Sequence, residues 1–413
     1  MMRAATIAAR ASVATAWVAR ALIGGALIGG ALIGGALLGG ALIAGAASAQ
    51  DRPEYLGPPI LIPSTRFDSA APTPDNAVLR IPQPEARCDG AAVAPLYQEV
   101  LPAYVPGRDW RGAETFDLTF SIAADGRTLD IRPANGPPTL FDQYQATLAA
   151  WRFPTQARKD CRLTIRFRHI PLAQAETADL LNYFAVHRET GALRDAVAKR
   201  LGGPGADCGE RFGGRRPDVV SFPDFEKGRR PPPGGRSWSV TRWNIDAEGR
   251  TTDIQTLGSS GDADLDAEAR RAVAETRMRP GPARTGCVYN VYRSGETLPA
   301  PPLPPEDQRE DPLQQCPDAV GDRFRARSNP EFPRVFRDRS IEGWALVRFD
   351  IAPWGQIGNA AVVEAQPAAA FGADALRLVQ RSEASPGFDA GVRCVVPVRY
   401  VLRDEAASET EQN

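Results

Sequence analysis

Six cysteines are the residues in this chain best suited to chemistry: Cys88, Cys161, Cys208, Cys287, Cys316 and Cys394. Taken in order they pair at separations of 73, 79 and 78 positions. Thiols can ligate a metal, cycle as a redox pair or close structural bridges. No C-x-x-C occurs, and His169 and His187 are the only imidazoles, so metal and redox roles lack supporting residues. In an exported chain the spacing reads as three intradomain disulfides. Each would close a loop worth up to about 4 kcal/mol in the chain-entropy model. Other catalytic patterns are missing: no H-E-x-x-H, no G-x-S-x-G, no Walker glycine loop, no G-x-G-x-x-G opening a helix. Asp262, Asp264 and Asp266 start a helix, where acids suit the positive dipole end. Ser259 and Ser260 stand at a corner without a nearby His. The reading is a non-enzyme with no cofactor and no metal.

The elements that must position these cysteines repeat three times. Between the members of each pair lies a glycine, Gly126, Gly249 or Gly355. Before it runs an alternating segment: FDLTFSI at 116–122, SVTRWNI at 239–245, ALVRFDI at 345–351. Period-two alternation of branched and aromatic residues predicts half-buried strands. ADGR, AEGR and PWGQ then predict hairpin turns with glycine supplying positive φ. A second strand follows, then a helical stretch. Its apolar faces are Phe141, Tyr144, Leu148 and Trp151, then Leu265, Ala269, Ala272 and Thr276, then Phe371, Ala375 and Leu378. Pro154, Pro280 and Pro386 are expected to end the helices, and the second Cys of each pair to open a closing strand. Three units of one length with matching landmarks are an internal repeat.

The 413 residues carry 49 Lys+Arg against 50 Asp+Glu, which argues against a dedicated nucleic-acid binder. The first 20 residues hold Arg3, Arg10 and Arg20 and no acid, an uncharged ALIGG-repeating run follows, and Ala47-Ser48-Ala49 precedes Gln50. This pattern suits a cleaved secretory signal, and the apolar run is also long enough for a retained membrane anchor. The expected division is 1–49 signal peptide or anchor, 50–85 Pro-rich linker, 86–171 first repeat and 172–203 helical linker. There follow 204–293 second repeat, 294–312 Pro-rich linker, 313–403 third repeat and 404–413 disordered tail. The architecture expected is three small domains on semi-rigid linkers.

Residues 341–402, with the lead-in Phe332-Pro333-Arg334, resemble the TonB C-terminal domain family. The first repeat matches more loosely, and the second keeps corner residues Gly258-Ser259-Ser260-Gly261. The resemblance implies an α+β fold: three tandem TonB-C-like domains, each an antiparallel three-stranded sheet with a packed helix. It further implies a protein of the Gram-negative periplasm or cell envelope that binds segments of partner proteins. The partner expected is the periplasmic segment of an outer-membrane receptor or another envelope protein, with TonB-dependent transport across the outer membrane as the wider setting. An inner-membrane anchor would be needed for energy transduction.

A free sheet edge can capture an extended peptide by strand addition. The closing strand of the third repeat is the candidate, with Arg393, Val395, Pro397, Arg399, Val401 and Arg403 as partner-binding residues, and Trp354 as an exposed aromatic anchor. Pro397 supports an edge position. An arginine-rich run, Arg323, Arg325, Arg327, Arg334, Arg337 and Arg339, supports a second reading, a structural envelope protein holding peptidoglycan or lipopolysaccharide. A similar run, Arg211, Arg215, Arg216, Lys227, Arg229, Arg230 and Arg236, sits among Gly and Pro and reads as loop.

Overall fold

The computed structural model describes residues 73–402, apart from 106–114, 140, 187–190, 211, most of 306–329, and 388–390. The N-terminal segment, Arg403 and the tail therefore lie outside the described residues. The first unit comprises β1 (Val78–Cys88), β2 (Ala91–Ala92), β3 (Thr115–Ile122), β4 (Thr128–Pro133), α1 (Asp142–Ala150) and β5 (Arg158–Pro171). Helices α2 (Thr177–Val186) and α3 (Ala192–Gly202) follow. Next come β6 (Pro217–Val219), β7 (Arg236–Ile245), β8 (Thr251–Ser259), α4 (Ala263–Glu275), β9 (Arg277–Met278) and β10 (Arg284–Ser294). The last unit holds β11 (Phe324–Arg325), α5 (Arg334–Arg337), β12 (Gly343–Ile351), β13 (Ile357–Gln366), α6 (Ala369–Gln380), β14 (Glu383–Ala384) and β15 (Val392–Tyr400).

The three main sheets share one plan, with the alternating segment in contact with both its hairpin partner and the closing strand. Their orders are β2-β1-β5-β3-β4, β10-β7-β8 and β13-β12-β15, with β6-β9 and β11-β14 as two-stranded pairs. Register makes the repeat explicit: Phe120 stands opposite Cys161, Trp243 opposite Cys287, and Phe349 opposite Cys394. Each second Cys bonds the first of its pair, at Cα separations of 4.0, 4.6 and 4.7 Å.

The three turn glycines do more than bend the chain. Gly126, Gly249 and Gly355 all have positive φ, and each carbonyl accepts from the segment after the helix: Phe153 N at 2.9 Å, Met278 N at 2.8 Å and Ala384 N at 3.0 Å. A Cβ at any of them would strike the backbone of that segment. The helices accordingly stop at Ala150, Glu275 and Gln380, several residues before Pro154, Pro280 and Pro386. The intervening residues dock on the turn, so proline is not the terminator.

Strand β1 takes up the end of the stretch expected as a linker over 50–85, of which residues 50–72 lie outside the described residues. It pairs antiparallel with β5 along its whole length, from Val78 opposite Pro171 to Cys88 opposite Cys161. Pro82 and Pro84 do not prevent this, because both occupy positions whose nitrogens face away from β5. The alternation is visible at the neighbours: Ala77 O accepts from Leu172 N on the β5 side, whereas Ala86 O accepts from Val93 N on the other.

The described residues between 73 and 402 fall in one compact unit. One buried cluster joins Leu118, Ile131, Leu148 and Trp151 of the first unit to Phe336, Ile341, Phe349 and Phe371 of the third. A second joins Leu79 and Ile81 of β1 to Leu180, Phe184, Val197 and Leu201 of α2 and α3, and to Val240 and Val288 of the second sheet. The Pro-rich stretch after β10 is docked too. Leu298 is buried, and Trp344 Nε1 donates to Pro301 O at 2.8 Å.

Candidate interaction edge

Strand β15 has β12 on one side and, among the described residues, no strand on the other. Alternation in its sequence splits it into two faces. Cys394, Val398 and Tyr400 are buried with α6, and Tyr400 packs its ring on Phe371 at 5.3 Å. Pro397 and Arg399 are exposed, and Arg393 and Val395 are half-buried. In an antiparallel ladder, alternate residues direct both N–H and C=O to the partner. Pro397 has no N–H, and it lies in the series 393, 395, 397, 399 that points away from β12. Unit equivalence agrees: Thr115 stands opposite Arg166 and Trp344 opposite Arg399, so 162, 164 and 166 of β5 correspond to 395, 397 and 399. Those β5 residues are the ones bonded toward β1. The open edge of β15 thus offers the N–H and C=O of Val395 and Arg399, and the C=O of Pro397.

The candidate side chains divide sharply. Arg399 is exposed and, among the described residues, has no carboxylate partner. Arg393 is committed to its neighbour strand, with Nε at 2.8 Å and Nη2 at 3.3 Å from Asp350. Together with Asn359 Nδ2 at 2.8 Å, it holds the Asp350 carboxyl below the usual carboxylate range. Val401 is exposed just beyond the strand, and Arg403 falls outside the described residues. Trp354 is 68% exposed, but it belongs to a different surface. It lines a groove with Gln380, Arg381, Glu383 and Pro386, and its indole N–H donates to Gln356 Oε1 at 3.1 Å. The structure does not bring Trp354 to the β15 edge.

The edges of the other closing strands are not equivalent. On β5 the edge is filled by β1. On β10 the chain's own Gly209 bridges Cys287, and Val288 N donates to Gly209 O at 3.2 Å.

A cavity of about 240 Å³ lies between the units, lined by Tyr97, Glu99, Arg236, Trp238, Tyr292 and Arg339. Its charges are paired internally. Glu99 accepts from Arg339 Nη1 at 2.7 Å, Arg236 N at 2.7 Å and Tyr97 OH at 3.1 Å. Burial and the Glu99 charge together push the Tyr97 hydroxyl pKa well up. The arginine runs are likewise drawn inward in part. Arg339 is 5% exposed, and Arg215 caps the carbonyls of Arg279 and Pro282. Lys227 pairs with Glu268 at 2.7 Å.

A threefold feature escaped sequence reasoning. Asp130, Asp253 and Asn359, each four residues after the turn glycine, adopt positive φ where the second hairpin strand bulges. Each pairs across the hairpin: Ser121 Oγ to Asp130 at 2.6 Å, Asn244 Nδ2 to Asp253 at 2.8 Å, and Asn359 Nδ2 to Asp350. The signal was the Asp or Asn at that fixed offset, since these residues tolerate the left-handed region.

Two stretches, residues 239–292 and 328–402, match the family model for the Gram-negative bacterial TonB protein C-terminal. The first spans most of β7 to β10 and the second α5 to β15. No curated protein matches the chain.

Proposed function

We propose that this chain, of which residues 239–292 and 328–402 match the TonB C-terminal family model, is a TonB-like envelope protein that captures an extended segment of a partner protein along the β15 edge. The observation that carries this reading is the edge of β15, which among the described residues has no strand on it, with backbone groups of Val395 and Arg399 directed outward. Strand addition supplies affinity through main-chain bonds and specificity through alternate side chains. The partner is the periplasmic segment of an outer-membrane receptor or another envelope protein, and the setting is the periplasm. The N-terminal segment lies outside the described residues, and among those described no helix is long and apolar enough to cross a membrane.

Photo-crosslinking residues placed at 395 and 399 test this in the native envelope. Adducts to one stretch of a partner from both positions, and none from the exposed Val220, are expected. Adducts from 220 with none from the edge would contradict it. The reading in which arginine faces hold a polymer is weakened by the internal commitments of Arg339, Arg215 and Lys227.

A further inference from the structure

The first unit contains a picture of an occupied edge. Strand β1 lies antiparallel on β5 in the place where β15 has no strand among the described residues, with Glu85 opposite Thr164 and Gln83 opposite Arg166. From there Glu85 Oε2 accepts from Arg166 Nη1 at 3.0 Å, and its Oε1 accepts from Arg87 at 2.9 Å. These two guanidinium groups hold the Glu85 carboxyl below the usual range. Register places Arg399 where Arg166 stands and Pro397 where Thr164 stands. Arg166 has its carboxylate on the added strand; Arg399 is exposed and, among the described residues, has none.

We infer that the segment captured by β15 runs antiparallel to it and carries an acidic residue opposite Pro397, which ion-pairs with Arg399. This rests on the strand-capture reading and adds direction, register and a side-chain requirement. The internal strand also shows which sequences are compatible. Prolines two apart are tolerated on the added strand when their nitrogens face outward, as Pro82 and Pro84 do. Pro397 cannot donate to the residue it opposes, so the captured strand forgoes one ladder bond there, and the ion pair to Arg399 acts at that weak point.

The probe is a capped peptide with the sequence of residues 78–87, VLRIPQPEAR, added to the full oxidised chain, whose own β5 edge is already filled. Protection of the Val395 and Arg399 amides on binding is expected. Changing the peptide glutamate to glutamine should weaken binding about two- to fivefold at low salt, the scale of an exposed ion pair. Arg399→Gln should do the same, with no further loss when the two are combined. Arg399→Glu should abolish the preference, and a peptide with arginine at that position should restore it. A nitroxide at the peptide C-terminus should broaden Val395 more than Arg399, because Arg87 faces the position equivalent to 395. Edge protection without any dependence on the glutamate, or with the broadening reversed, would overturn the inference and leave strand capture standing. Failure of every peptide to protect the edge, also in Pro397→Thr, would overturn both. Edge protection that grows with protein concentration alone would assign the edge to a second copy of the chain and overturn the inference.

Discussion

Glu268 shows how far single side chains decide the stability of this molecule. It is buried on α4, and it accepts from Lys227 Nζ at 2.7 Å, Arg271 Nε at 2.8 Å and Asp224 N at 3.2 Å. These bonds hold its pKa down at about 2. A carboxylate depressed on folding stabilises above its unfolded pKa, roughly 4.3, and loses that contribution as pH falls toward the folded value. Acid unfolding monitored by circular dichroism should therefore begin between pH 4 and 2, and Glu268→Gln should flatten that limb. Asp142 has the opposite sign. Burial, opposed by the charge of Arg377, raises its pKa to about 7. Its contribution is complete below about pH 4 and is lost as pH rises through 7, so Asp142→Asn should remove a decline in stability over that range. Arg339 and Glu99 form an ion pair in which both side chains are less than 10% exposed. Removing one partner strands a buried charge, so Arg339→Met should cost about 3–5 kcal/mol in urea titration. At this scale the cysteine pairing was legible, because three nearly equal spacings leave little choice. The Arg339–Glu99 pair was not, because 240 residues separate its members and nothing local marks either as buried.

At the scale of elements, proline decided both what could and what could not be read. Alternation marked β3 and the turn-proximal halves of β7 and β12, where half-buried residues alternate with buried ones. Strand β1 was hidden by Pro82 and Pro84, whose presence suggests a linker until the alternation of ladder bonds is known. The same residue type at 397 gave the edge of β15 away. Pro397→Thr restores the residue of the first unit and supplies the missing N–H, so it should tighten capture of an extended peptide. Titration calorimetry with the 78–87 peptide measures this, and unchanged or weaker binding would count against the edge. Loss of the Cys88–Cys161 bridge should destabilise by about 4 kcal/mol at most. It joins β1 to β5 at their last register position, so fraying should begin there by amide exchange.

For the molecule as a whole, repetition was visible in the sequence and assembly was not. Each unit's own contacts follow from local pattern, but Ile131 N bonds Pro367 O at 2.9 Å, and Asp130 N bonds Gln366 Oε1 at 3.0 Å. Such contacts depend on how finished surfaces meet. Because Ile131, Phe349 and Phe371 share one buried cluster, the first and third units should unfold together rather than in steps. One calorimetric transition that covers both would support this, and separate transitions would contradict it. The assembly also bears on the proposed capture. It fills the β5 edge from within, while β15, among the described residues, has no strand on its outer side. The most direct test is amide exchange of the full chain, with and without the 78–87 peptide. Val395 and Arg399 are expected to exchange fast alone and become protected on binding, while Val396 and Val398 are slow throughout. Protection confined to other surfaces, with Val395 and Arg399 unchanged, would contradict it.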